Sequence, residues 1–495
     1  MKQLIHKGVI VPKYEAKGFR LKFRGKTISL TAKQEEMAVA WVRKLGTEYV
    51  EDPVFIKNFF DDFCKALGVQ GSKQDFDFSE IKEYVEKERE EKLKITKEEK
   101  KKLASTRKEI REKNKEKYGF ATVDGEVVEL GNYMAEPSSI FMGRGKHPLR
   151  GKWKEGATEE EIILNLSPDA PRPPGKWKQI VWNQNFMWIA RWDDKLRGKE
   201  KYVWLSDTSF PKQEREIEKF NKASELGKKY DLLKKHINDN LNSPDIKTRK
   251  IATACYLIDS LSMRVGDEKD EDEADTVGAT TLTPSNLKIE GNHVKFDFLG
   301  KDSVRLQKDI ELPEQVVKNL KEFISQSKPS IFEGVRSENV NEFLSSVVPE
   351  ISAKVFRTYH ASREVENYLK KEKISESDPV DYKKYVATMA NLQAAIVCNH
   401  KRKLPAKWKE TLEKKVDRLK MLKEKKGKKT PERVKSMELK IKLMKETKDY
   451  NLNTSLKSYI DPRIYYKWSK KADFDWKKFY SKNLQKKFSW VEKEK

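Results

Sequence analysis

Apolar positions along this chain change their period several times, and each change marks an element. Around Gly25, residues 20–30 alternate as a β-hairpin, and Thr31 then opens a helix through Met37, Ala40 and Val42. Residues 78–117 keep helical spacing but are extremely charged, and Thr96 with Glu99 forms a capping box that starts a second helix there. Residues 118–205 are richer in Pro, Gly and Trp, with strand-like runs at 179–182 and 186–190. The turn-rich stretch 206–211 reads as a hinge.

Beyond that hinge helices dominate. A helix from Thr248 carries Ile251, Ala254, Cys255, Ile258 and Leu261 on one face and runs to Gly266, with Arg264 in its last turn. A cation there complements the helix dipole. Residues 287–312 alternate as a hairpin pair with turns at Gly291-Asn292 and Gly300-Lys301-Asp302, so Lys301 projects from a tip. The next helix, 353–370, carries Arg357, and another places Val386, Met389, Ala390, Val397 and His400 on one face. Leu412, Val416 and Leu419, then Val434, Met437, Ile441 and Met444, recur at coiled-coil spacing on either side of a Lys-Gly-Lys-Lys turn. Finally, Asp461-Pro462 is a helix start, which leaves Tyr459 just outside it on a short polar approach. The fold class is α+β and multidomain: a mixed α/β region at 1–205, a mostly helical domain with a β-hairpin at 206–405, an antiparallel coiled-coil hairpin at 406–448 and a small helical domain at 449–495.

Composition narrows the function. A hydrophobic fraction of 37% with 10% aromatics supports real cores, and a net charge of +25 points to nucleic acid, with a basic membrane-surface protein as the rival. No stretch approaches the ~20 apolar residues of a membrane span, and no apolar run follows Met1. Cys64, Cys255 and Cys398 lie far apart without a CxxC, which argues for a reducing compartment and against structural zinc. Gly18 is wrongly spaced from Gly25-Lys26-Thr27 for a phosphate loop. The acidic run 267–275 contains Asp270-Glu271-Asp272, formally a magnesium-type DxD, but reads as a solvated loop. Gly143-Arg144-Gly145-Lys146 is a basic loop suited to close approach to DNA, and equally a surface turn.

Breaking a DNA strand without hydrolysis needs a nucleophile that holds phosphorus covalently, fixed cations on the non-bridging oxygens, and a proton for the departing sugar oxygen. Two Arg, one Lys, one His and one Tyr suffice, with no metal and no nucleotide. The chain resembles the eukaryotic-type DNA topoisomerase I (type IB) family from about residue 7 to 490. The resemblance rests on Lys57-Asn58-Phe59-Phe60, Gly143-Arg144-Gly145, Ala274-Asp275-Thr276-Val277-Gly278, Phe296-Asp297-Phe298-Leu299-Gly300-Lys301-Asp302-Ser303, Lys354-Val355-Phe356-Arg357-Thr358-Tyr359, Cys398-Asn399-His400 and Tyr459-Ile460-Asp461-Pro462-Arg463-Ile464.

The resemblance implies an enzyme, with Tyr459 as a nucleophile forming a 3′-phosphotyrosine, Arg264, Arg357 and His400 holding the scissile phosphate, and Lys301 protonating the leaving oxygen. It implies DNA contacts at Arg144, Lys146, Asp302 and Ser458, no metal and no cofactor, double-stranded DNA as partner, no membrane, and a monomer. It further implies a DNA clamp with 1–205 as cap, opposed lips at 146–150 and 270–275, and the coiled coil as linker. Three departures stand out. The long charged N-terminal tail of nuclear members is absent, which leaves a trimmed chain possible and leans localisation toward an archaeal nucleoid. Ser458 replaces an Asn common before the nucleophile at a position that contacts camptothecins. The acidic lip is one residue shorter. Two rival functions are a tyrosine recombinase, whose usual His is here Lys354, and a non-catalytic DNA-clamping scaffold.

Overall fold

The structure, a computed structural model, describes every residue except 144, 268–275, 302–303, 327–328, 425–426, 428–429 and 495. The chain forms two compact units, Met1–Lys212 and Gln213–Lys495. Among the described residues no helix is long and apolar enough to cross a membrane.

The first unit begins with β1 (Leu4–His6), β2 (Arg20–Phe23), β3 (Lys26–Ser29), α1 (Ala32–Val42), α2 (Pro53–Leu67) and β4 (Phe76–Asp77). The β2–β3 hairpin turns through Arg24 and Gly25 at φ 47° and 78°, the left-handed pair that matches strand twist. Thr31 caps α1 in a full capping box. These elements enclose an aromatic core in which Trp41 stacks on Phe59 with centroids 4.7 Å apart. The charged α3 (Ser79–Lys94) and α4 (Lys97–Tyr118) follow, and Thr96 caps the latter as its sequence foretold. No residue of α4 is buried. Then come β5 (Phe120–Val123), β6 (Glu126–Glu129), β7 (Ser139–Ile140), β8 (Trp153–Lys154), β9 (Ile163–Asn165), β10 (Gln179–Val181), β11 (Trp188–Asp194) and β12 (Lys199–Trp204). A β1–β5–β6 sheet and a β10–β9–β11–β12 sheet share a second core around Leu4, Val123, Leu164 and Ile189.

The second unit is mainly helical: α5 (Phe210–Lys228), α6 (Tyr230–Asn240), α7 (Ile246–Leu261), the sheet β13 (Leu287–Glu290), β14 (His293–Gly300) and β15 (Val304–Glu311), then α8 (Glu314–Gln326), α9 (Ser337–Ser345) and α10 (Ala353–Lys371). After these come α11 (Val380–Val397), α12 (Trp408–Glu424), α13 (Thr430–Glu446), α14 (Leu452–Ser458), α15 (Pro462–Lys471) and α16 (Lys482–Lys487). Two cores fill it, and α10 belongs to both. Ala353, Val355 and Phe356 pack with α7, α8 and the sheet, whereas Ala361, Val365 and Leu369 pack with α11, α14 and α15. Arg357 and Thr358 fall between these groups.

Three local expectations are corrected. α7 stops at Leu261 because Ser262 adopts the left-handed conformation (φ 50°), so Arg264 lies beyond the helix rather than in its last turn. α11 stops at Val397 and Asn399 is left-handed (φ 52°), so His400 is not on the helical stripe. The approach to Tyr459 is itself helical, with Asn451 capping α14 and Tyr459 as its C-terminal cap. Along α12 and α13 only Met437 and Ile441 are buried, while Lys423 and Glu438 bridge the pair at 2.8 Å.

Candidate active site

Arg357 is 6% exposed, at the seam where α10 passes from one core to the other. A buried guanidinium needs its N–H groups satisfied, and two carbonyls do this. One of its terminal nitrogens donates to Ser262 and the other to Cys398 at 2.8 Å. Both carbonyls sit in tight helix endings. After α11 the His400 N–H returns to the Ala395 carbonyl at 2.8 Å and the Asn399 N–H to Ile396 at 3.0 Å, a Schellman turn with Asn399 where glycine is usual. Asn is the side chain that takes this left-handed conformation most readily after glycine, and the turn it makes swings His400 back beside Arg357. Nη2 of Arg357 lies 3.4 Å from Nε2 of His400.

Tyr459 completes the group. The Arg357 guanidinium lies over its ring at 5.2 Å, and the His400 and Tyr459 ring centroids are 5.1 Å apart. Burial pushes the phenol upward in pKa, but the Arg357 and Arg264 cations, with a hydrogen bond from Arg264, bring it below the ordinary tyrosine value. Burial, reinforced by the same two cations, lowers the His400 imidazole to about 3, so it is neutral near pH 7. Among the described residues, Arg357 Nε and His400 Nδ1 are buried without a hydrogen-bond partner. Buried polar atoms left without a partner are costly.

Arg264 is carried by a segment pinned to the facing chain, where Ala279 N–H donates to the Arg264 carbonyl at 2.8 Å and Thr280 N–H to Val265 at 2.7 Å. Glycine is required here. A Cβ on Gly278 would sit 2.4 Å from the Gly266 Cα and 2.8 Å from the Arg264 carbonyl. Lys301 follows Gly300 at the end of β14 and, with Arg264, Arg357 and Tyr459, lines a cleft of about 990 Å³. Ser458 lines it too, and a smaller adjoining cleft takes in His400 beside Lys301.

The five residues singled out for chemistry therefore border contiguous space in one unit. Arg144 and Asp302 lie outside the described residues, as does the acidic run 270–275. Lys146 is exposed in the first unit. Sequence reasoning missed the groups that hold the backbone around Tyr459. Ser362, five residues beyond Arg357 on α10, donates to the Tyr459 carbonyl at 3.3 Å and accepts from the Asp461 N–H at 3.0 Å. Lys219 on α5 donates to the Ser458 carbonyl at 3.0 Å. No local signal marks either residue.

Family models match the whole length: "Eukaryotic DNA topoisomerase I, DNA binding fragment" over residues 1–205, "Eukaryotic DNA topoisomerase I, catalytic core" over 208–433, and "C-terminal topoisomerase domain" over 431–495. Similar proteins include DNA topoisomerase 1 alpha of Arabidopsis thaliana, 35% identical across 99% of this chain and 58% of that protein. DNA topoisomerase 1 of Homo sapiens is 33% identical across 99% of this chain and 70% of its own length. For the Drosophila melanogaster protein of the same name the values are 32%, 99% and 54%. The chain thus spans about three fifths of the length of the relatives it matches. These relatives are eukaryotic, and the archaeal lean drawn from the short N-terminus is not supported.

Proposed function

The chain belongs to the eukaryotic DNA topoisomerase I family, and on that premise we propose that it relaxes supercoiled duplex DNA as a type IB enzyme. Tyr459 attacks a backbone phosphorus, the bond to the 5′ oxygen breaks, and a 3′-phosphotyrosine forms. The lowered phenol pKa eases loss of its proton. Arg264, Arg357 and neutral His400 donate to the non-bridging oxygens, and Lys301 passes a proton to the departing oxygen. Rotation then releases torsional strain, and the 5′ hydroxyl attacks back to reseal the strand. One phosphodiester is exchanged for another, so no nucleotide is consumed.

Residues 1–205 serve in this reading as the DNA-binding cap of a clamp, with Arg144 and Lys146 at the duplex, while Asp302 and Ser458 contact DNA from the catalytic side. Residues 406–448 act as a linker hairpin that brakes rotation, and 449–495 deliver the nucleophile. The protein acts as a monomer on chromosomal DNA in a nucleus.

The observation that supports this most is one phenol set under the Arg357 guanidinium, hydrogen-bonded by Arg264 and beside a neutral imidazole, in an open cleft. Supercoiled plasmid incubated with the protein in EDTA without ATP should yield a ladder of relaxed topoisomers. Denaturation with detergent should trap protein bound to a 3′ end. A protein that binds plasmid yet neither relaxes it nor forms the adduct would be a scaffold, and synapsis of two specific duplexes would indicate a recombinase.

A further inference from the structure

Three successive carbonyls around the nucleophile are each held by a side chain from a different element. Ser362 of α10 takes that of Tyr459, Lys219 of α5 takes that of Ser458, and Lys487, the last residue of α16, takes that of Lys457 at 3.1 Å. Of these, Lys219 lines the cleft that Tyr459 borders. Lys487 does not: it is 5% exposed, on the C-terminal segment, and shares no cleft with Tyr459.

Glu216 ties two of these clamps together. Its carboxylate accepts from Lys219 at 2.9 and 3.0 Å and from Lys487 at 3.1 Å. Two ammonium groups therefore share one carboxylate, and each spends a remaining N–H on a terminal carbonyl of α14. The last carbonyls of a helix have no partner within it and carry the negative end of its dipole, so cations are the natural caps. Burying Lys487 is costly unless it is paired. The carboxylate supplies charge compensation, and the carbonyl supplies direction.

Fixing the carbonyls of Lys457 and Ser458 fixes the two peptide planes that lead into Tyr459. We propose that Lys487, held by Glu216, is a positioning residue for the Tyr459 phenol, so that the far C-terminal segment sets the aim of the nucleophile. This rests on Tyr459 being that nucleophile. Misplacement of a reacting group by about 1 Å costs on the order of 10²-fold in rate, so a loosened clamp slows the chemical step without weakening DNA binding. Lys487 cannot touch DNA from its buried position, which separates its role from that of Lys219.

The test is single-turnover cleavage, with enzyme in excess over a duplex whose short downstream strand dissociates once cut, so that covalent adduct accumulates. Lys487→Met is expected to lower the adduct-forming rate at saturation by about 10- to 100-fold, with the dissociation constant for uncut duplex unchanged. Lys487→Arg, which keeps a charged donor, is expected to recover most of that loss. Should Lys487→Met prove unfolded by circular dichroism, Glu216→Gln is read instead, with a smaller fall in the same rate. An unchanged maximal rate in the variant read, a loss confined to affinity, or equal impairment of the Arg and Met variants would overturn the inference. Absence of adduct from the unmutated protein would instead overturn the proposed function, so the two failures are distinct.

Discussion

Lysine and arginine do opposite work on the outer helices and at the seam around Tyr459. On α3, α4 and α12 they stand in solvent, four residues from a carboxylate, as in Lys82–Glu86, Lys108–Glu112 and Lys414–Glu410. Such pairs are worth about 0.3–0.5 kcal/mol each and are screened by salt. At the seam, Arg357 is buried and its partners are main-chain carbonyls rather than carboxylates. A carboxylate would neutralise the cation; a carbonyl orients it and leaves its charge available. Arg463 makes the contrast within a few residues of Tyr459, because Asp461 grips it at 2.7 Å and Glu494 lies at 3.4 Å. Arg463 therefore reads as scaffolding, and Arg357 as a donor held ready for an anion.

The contrast breaks most sharply at the phenol. Tyr459→Phe should abolish plasmid relaxation and adduct formation while duplex binding stays near its unmutated level, since one hydroxyl is lost; residual relaxation would refute the assignment. Next in size, Arg357→Ala or Arg264→Ala should cost on the order of 10² or more in cleavage rate. Arg357→Lys should restore little of it, because one ammonium cannot reach the carbonyls of Ser262 and Cys398 and the phenol together. Rate recovery by lysine would show that charge alone matters.

A moderate effect concerns pH. The folded His400 titrates near 3, below its ordinary 6.5, so between those values the unfolded chain binds the extra proton. Stability from this group is fully present above about 6.5 and falls as the pH drops toward 3. Thermal unfolding followed from pH 7 to 4.5 should therefore show a declining midpoint, and His400→Gln should flatten the decline. The smallest effect belongs to the solvated side. Replacing Lys409, Lys414 and Lys420 of α12 with Gln should leave saturated cleavage nearly unchanged while weakening the dependence of affinity on salt, by up to roughly 0.9 in log–log slope for each DNA phosphate no longer neutralised.

The parts of this fold written in short motifs were legible in advance. Thr31 and Thr96 announce their helices, and the β2–β3 and β14–β15 hairpins follow from alternation and glycine. Helix endings were harder to read. Ser262 and Asn399 are left-handed without being glycine, so periodicity carried α7 and α11 past their true ends and misplaced Arg264 and His400 locally. The chemical residues were reached by resemblance of their surrounding strings, not by period. Glu216, Lys219, Ser362 and Lys487 were not singled out, because the backbone carbonyls they serve lie 239 residues away for Lys219 and 97 for Ser362, and the local Glu216–Lys219 spacing is common on ordinary surface helices.

α10 packs its first turns into one core and its later turns into the other, with Arg357 at the crossing. That helix is an axle common to two wheels. Loosening on either side tilts the guanidinium that both sides support, so the second unit should lose activity and tertiary structure over the same temperature interval, and a truncated piece containing a single core would not inherit part of the proposed chemistry.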